Sequence, residues 1–138
     1  TLKHASNTDG WIFDAYRSGT EGFALWINSL EQGKAGTFGN SYNALVWSEC
    51  RTHAVNFLEE YSAKLSGERK VLAEEALGYY QIVAENLKVV ADLYPLGGYK
   101  EGETCPVDTT LTQAVIALNT AKEAEVKALE VLKKYVVL

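Results

Sequence analysis

The sequence predicts an all-α domain, an antiparallel up-down bundle of four helices behind an irregular N-terminal leader, and three observations support this. Apolar residues recur at three- and four-residue spacing in four segments, as one buried face of a helix requires. Glycine, proline and small polar residues separate those segments at intervals suited to short connections. No stretch alternates apolar with polar as a half-buried strand does, and no period of solenoid length repeats. With 138 residues, 47% apolar and 22% charged, the chain is large enough for one continuous core.

Residues 1–17 read as the leader. Asn7, Asp9 and Gly10 mark a turn, and Trp11-Ile12-Phe13 is an apolar patch without helical period, expected to pack on the bundle. The bundle is assigned to residues 18–138. The chain opens at Thr1 and contains no Met, so it reads as a processed chain, a tag remnant or an excised domain, with the choice left open.

The first helix is expected from Ser18, whose spacing to Glu21 matches a capping box. Phe23, Trp26, Ile27 and Leu30 form its apolar face, and it stops before Gly33. Gly33, Gly36 and Gly39 then mark a connection. They lack the preceding strand and the following Lys-Ser or Lys-Thr pair of a phosphate-binding loop.

A second helix is expected from Ser41 to Leu65 with Asn40 as its cap. Its core stripe is read as Val46, Cys50, Ala54, Phe57, Tyr61 and Leu65, widened by Trp47 and Leu58. Ser66-Gly67 breaks it, and a third helix follows from Glu68 to Leu93 on Leu72, Ala76, Tyr79, Tyr80, Val83, Leu87 and Val90. Both would be about 36–39 Å long, and so short a linker demands an antiparallel hairpin. Tyr94-Pro95 ends the third helix, because the residue before proline avoids the helical region. After a glycine-rich loop, the fourth starts near Thr110, with Gln113 at capping spacing, and carries Leu111, Val115, Leu118, Leu129 and Leu132. Glu123–Lys127 and Glu130–Lys134 fall at helix-supporting spacing on its wet side.

Net charge is −5 and the basic residues are scattered, which argues against nucleic acid as a partner. No apolar run approaches the roughly 20 residues that span a bilayer, so no membrane partner is expected. Cys50 and Cys105 have no metal or redox spacing, and a reduced, cytoplasmic setting is the simplest expectation.

Chemistry is sought among polar residues on apolar faces, because their burial is costly unless they are paired. Asn43, Glu49 and His53 lie beside Val46, Cys50 and Phe57; Glu75 and Asn86 flank Tyr79 and Ile82; Glu125 is in line with Leu118, Ala121 and Leu129. A core constellation of Glu49, His53, Glu75 and Glu125 is geometrically conceivable. A di-iron site needs two Glu-x-x-His steps, whereas Glu49 to His53 is spaced by four with no second step, so neither metal nor cofactor is expected. Cys50 and His53 are helical neighbours, but a thiol on an apolar stripe lacks the electropositive setting of a nucleophile. No catalytic residue is assigned. The aromatic residues suggest an apolar pocket anchored by Asn43, Glu49 and Arg51, set against the plainer role of core packing.

Three segments carry a resemblance. They are Gly22-Phe23-Ala24-Leu25-Trp26-Ile27, the run from Gly39-Asn40-Ser41-Tyr42-Asn43 through Trp47-Ser48-Glu49-Cys50-Arg51 to Ala54-Val55-Asn56-Phe57-Leu58, and Tyr80-Gln81-Ile82-Val83-Ala84 leading to Leu93-Tyr94-Pro95. From about Ser18 to the C-terminus the chain resembles the helical C-terminal region of bacterial proteins similar to butirosin biosynthesis protein H. Those proteins pair such helices with a cysteine-peptidase-like domain, whose nucleophile has no counterpart in this sequence. The resemblance therefore implies no acyl transfer here, only a role for the Asn43, Glu49 and Arg51 face in recognising a small molecule or packing against a partner domain.

The sequence reading is thus a helical module that binds a small ligand or a protein partner, with a homodimer among the expected assemblies. The alternatives are an enzyme or enzyme fragment with a Glu/His pocket inside the bundle, or a purely structural interaction domain. The candidate ligand-binding residues are Trp26, Asn43, Trp47, Glu49, Arg51, His53, Tyr79 and Glu125.

Overall fold

Four helices form where the apolar periodicity places them. A computed structural model describes residues 16–138, so the leader expected over 1–17 lies outside the described residues except for Tyr16 and Arg17. The helices are α1 (Gly19–Glu31), α2 (Thr37–Ser62), α3 (Gly67–Leu93) and α4 (Thr109–Val136), with one 3₁₀ turn at Leu96–Gly98. The described chain is an all-α four-helix bundle without strands, as expected. None of its helices is long and apolar enough to cross a membrane.

The helices differ in length, and the difference shapes the molecule. With 13 residues α1 is about 20 Å long, whereas the 26 to 28 residues of the others give about 40 Å. Central α3 packs against both α2 and α4, and α1 packs against α4. Along α4, Ala114, Ala117, Ala121, Ala124 and Ala128 are buried at alternating three- and four-residue steps. Such small side chains let α3 approach α4 closely, with Ala73, Ala76, Val83, Leu87 and Val90 buried along α3. The largest fully buried side chains, Phe23, Leu30, Leu87 and Leu118, fill the end of the core that α1 covers.

The loops entering α2 and α4 are joined. Gly36 and Thr104 form an isolated antiparallel bridge, flanked by Cys105 N–H donating to Ala35 O at 2.8 Å and Thr37 N–H to Glu103 O at 2.9 Å. The Thr37 hydroxyl donates to Lys100 O at 2.6 Å and accepts from Lys100 N–H at 3.0 Å. These bonds pin the first turns of α2 and α4 side by side, so the two helices run parallel and α3 returns between them.

Two helix starts depart from expectation. α2 begins at Thr37, with Gly36 in the cap position, so Asn40 sits inside the helix and is buried rather than capping it. α4 begins under Asp108, whose carboxylate accepts from Leu111 N–H at 3.0 Å, one residue ahead of the expected Thr110 box. Ser18 does stand at the α1 cap, but its hydroxyl is buried with no partner, so the expected box with Glu21 does not close.

A larger correction concerns α2. Its buried residues are Asn40, Ser41, Ala44, Ser48, Leu58 and Ser62. Of the expected stripe, Cys50, Phe57 and Tyr61 are exposed and Val46, Ala54 and Leu65 only half-buried. Phe57 is 63% exposed and stacks on Tyr61, with ring centroids 5.6 Å apart. The physical reason is size: small side chains allow α2 to sit close to its neighbours, and the bulky ones are turned outward. The polar residues flagged on α3 are also outside the core, since Glu75 is exposed and Asn86 donates to its own helix at Ile82 O.

Glycine inside the helices makes the packing testable. A Cβ on Gly78, in the middle of α3, would meet nothing within 4 Å, whereas one on Gly22 would lie 3.0 Å from the Trp47 ring. Gly78→Ala is expected to add about 0.5–1 kcal/mol of stability from helix propensity and raise the thermal midpoint by a few degrees. Gly22→Ala should forfeit that gain to overpacking. An equal gain at both positions in thermal denaturation would show that Trp47 is not held.

Candidate functional site

The cleft between α1 and the first half of α2 gathers polar and aromatic groups, two tryptophans among them. It encloses about 470 Å³, with Trp26 and Leu25 from α1, Asn43 and Trp47 from α2, and Arg17 and Lys34 at its rim. Asn43 and Trp47 share it because residues four apart stack on one side of a helix. Gly36 and Gly39, at the start of α2, bring bare backbone into the lining.

Its floor is tightly built. Trp26 Nε1–H donates to Asn40 Oδ1 at 2.7 Å, a buried bond that joins α1 to α2. The Asn40 amide nitrogen makes no well-formed hydrogen bond and lies beside the Cys105 thiol, a weak acceptor. Burial pushes the Cys105 thiol up, Asp108 adds to the push, and the Asn40 side chain draws it the other way. Trp47 meets Phe23 edge-on with centroids 4.9 Å apart and Trp26 at 5.7 Å, geometries that aromatic quadrupoles favour.

Midway along the bundle, Arg51 of α2 and Glu125 of α4 form a two-pronged ion pair. Arg51 Nε donates to Oε2 at 2.8 Å and a terminal guanidinium nitrogen to Oε1 at 2.6 Å. Glu125 is 2% exposed, and the Arg51 guanidinium stands 5.6 Å from the Trp47 ring centroid. Burial works against the Arg51 charge, but the hydrogen bond and charge of Glu125 outweigh it and hold its pKa above the ordinary arginine value. Tyr80 of α3 faces the same pair; burial, then the Glu125 charge, push its hydroxyl up while Arg51 opposes.

The structure therefore divides the eight sequence-predicted residues. Trp26, Asn43 and Trp47 line one cleft. Arg51 and Glu125 bind each other. Glu49 and His53 are exposed on another side of α2, and Tyr79 is half-buried on α3 outside the cleft. The conceived convergence of Glu49, His53, Glu75 and Glu125 does not occur, because Glu125 is committed to Arg51 and the other three are exposed. Cys50 is exposed rather than on a core stripe, and both cysteines are free. Among the described residues no group of three or more His, Cys, Asp and Glu could hold a metal ion.

Sequence reasoning missed Asn40, Arg17, Ser29 and Lys34. The signal for Asn40 was present in the Asn40-Asn43-Trp47 spacing, but reading Asn40 as a cap concealed it. Lys34 lies in a connection, where no periodicity assigns a face.

Comparison of the chain with protein-family profiles, with curated proteins and with solved structures finds no match.

Two predictions follow from the buried polar groups. Glu125→Gln leaves the Arg51 guanidinium, about a fifth exposed, without its counter-charge, and should cost about 3 kcal/mol in urea denaturation. Replacing both partners with apolar residues (Arg51→Met with Glu125→Leu) should cost less than the single change, and the opposite order would show that the pair itself supplies net stability.

Tyr94 has a buried hydroxyl with no partner, and burial, with Cys105 and Asp108 adding to it, pushes its pKa from 10.0 up to about 12. Below pH 10 the hydroxyl is neutral in both folded and unfolded chains. Above it the unfolded chain loses this proton first, so stability falls as pH rises from 10 toward about 12. Tyr94→Phe should flatten part of that alkaline decline and cost little at neutral pH. An unchanged decline in denaturation curves taken across this range would refute the assignment.

Proposed function

We propose that this chain is a non-enzymatic helical module whose α1–α2 cleft binds a small molecule. The observation that carries the reading is the meeting of Trp26, Asn43 and Trp47, three of the residues picked from sequence, on one open cleft of ligand size. Rigid aromatic walls with a few polar groups are what a small-ligand site requires, and the Trp26–Asn40 bond holds those walls in place before any ligand arrives. The enzyme alternative draws less support, because Glu49 and His53 are exposed and stand apart from the buried Glu125 carboxylate. The face implied by the resemblance to the butirosin-type helical region reaches the cleft through Asn43 alone.

A homodimer is a second reading, favoured by the far end of the bundle. There Phe57, Val136 and Val137 are more than half exposed, next to Tyr61 and Tyr135, whose hydroxyls bond at 2.7 Å.

Gly39 offers a clean test of the cleft, since its Cβ would meet nothing within 4 Å. Gly39→Phe should fill the space while the helices stay folded. In a thermal-shift screen against small metabolites, with native mass spectrometry as the second readout, the natural chain is expected to bind at least one compound that Gly39→Phe loses. Binding that survives Gly39→Phe, or no binding by either chain, overturns the reading. A dimer mass would support self-association, and Phe57→Glu should then dissociate it.

A further inference from the structure

We infer that the α1–α2 cleft selects a planar aromatic ring bearing an anionic group, an inference that rests on the ligand-binding reading above. The chain holds 18 acidic residues against 13 basic ones, yet among the described residues the cleft lining contains Arg17 and Lys34 and no Asp or Glu. Charge of one sign at the mouth of a low-dielectric cleft focuses attraction on the opposite sign. Arg17 stands 4.0 Å from Glu21 and donates to Tyr16 O at 2.7 Å, so its charge is partly engaged. Lys34 is exposed and forms no ion pair among the described residues, which makes it the cation available to a ligand.

The backbone adds to this field. Gly36 and Gly39 line the cleft at the N-terminus of α2, a helix of 26 residues with no acidic residue in its first turn and no side-chain cap. That end of the helix carries partial positive charge. The opposite requirement, a flat apolar body, is set by Trp26 and Trp47. Trp26 is 7% exposed and has given its N–H to Asn40, so it backs the wall with an apolar edge and offers no donor. Donors among the lining residues include the Asn43 amide, the Ser29 hydroxyl, the Trp47 indole N–H, Arg17 and Lys34. The two indoles stand at 72° to each other, so a bicyclic ring can lie against the half-buried Trp47 while its anionic group reaches Lys34 and the start of α2. The volume of about 470 Å³ admits a molecule of that size.

Three probes of one ring and different charge test the inference: 2-naphthoate, 2-naphthylmethanol and 2-naphthylmethylammonium, each titrated by protein-observed NMR on the full chain. Naphthoate is expected to shift the Gly36, Gly39 and Asn43 amides and to bind more tightly than the other two. Added salt should weaken naphthoate alone. Lys34→Gln, a surface change, should weaken naphthoate about two- to fivefold and leave the alcohol unaffected. Equal binding of all three probes, or no effect of Lys34→Gln, overturns the anion preference while leaving a ligand-binding cleft. Failure of every probe to shift the cleft amides also overturns it, and the cleft itself is then judged independently by Gly39→Phe.

Discussion

The bundle depends on the ion pair between Arg51 and Glu125. Central α3 packs on α2 and on α4, but those two parallel helices lie on either side of it and are joined to each other by side chains. Short α1 fills the space between them over only one half of the molecule. Along the remaining length, a carboxylate 2% exposed and a guanidinium with two hydrogen bonds fix their separation and their register. Desolvating two charges is expensive, so the pair is not chosen for stability over an apolar contact. Its value here is directional: a fork with two bonds favours one axial position of α2 against α4, the same one set by the bridge between their entering loops and by the Tyr61–Tyr135 bond.

The same pair divides the core. Phe23, Leu30, Val83, Leu87, Val90 and Leu118 belong to one apolar cluster at the end covered by α1. Leu58, Ala73, Ala76, Ala128, Leu129 and Val131 are buried but lie outside that cluster, along the stretch that leads to Tyr61 and Tyr135. The first region has the larger side chains, and the second relies on alanine. A polar layer between two apolar ones explains how α2 can bury Asn40, Ser41, Ser48 and Ser62 and still belong to a bundle.

That composition also explains which parts of the fold were legible in the sequence. On α1 the buried positions are large aromatic and aliphatic residues, and on α3 and α4 aliphatic residues share one buried face with alanines, so spacing located helices and faces. On α2 the rule fails, because the buried face is mostly small polar residues (Asn40, Ser41, Ser48 and Ser62), which hydrophobicity does not mark. Cys50, Phe57 and Tyr61 form a convincing stripe that faces water. The polar candidates were spread too widely for the same reason. Positions 43 and 47 share one side of a helix, while 49 and 53 share another roughly 120° away, so the two pairs face different directions. Arg51 meeting Glu125 required knowing the register of two helices 74 residues apart in sequence, which no local pattern carries.

The cleft and the ion pair are mechanically connected, and this bears on how a binding site can exist on so short a helix. A 13-residue helix is marginal by itself, and α1 keeps its shape only through what it packs against. Trp47 is the principal surface it meets on α2, through Phe23 and Trp26. Trp47 in turn has the Arg51 guanidinium over its ring, and Arg51 is held by Glu125 from the far helix. A chain of contacts therefore runs from a buried carboxylate on α4, through a cation and an indole on α2, to the wall of the cleft on α1. The pair that holds α2 against α4 therefore also restrains the aromatic wall, while Lys34, Ala35 and Gly36 of the connection complete the lining, so the core and the loop shape the cleft together.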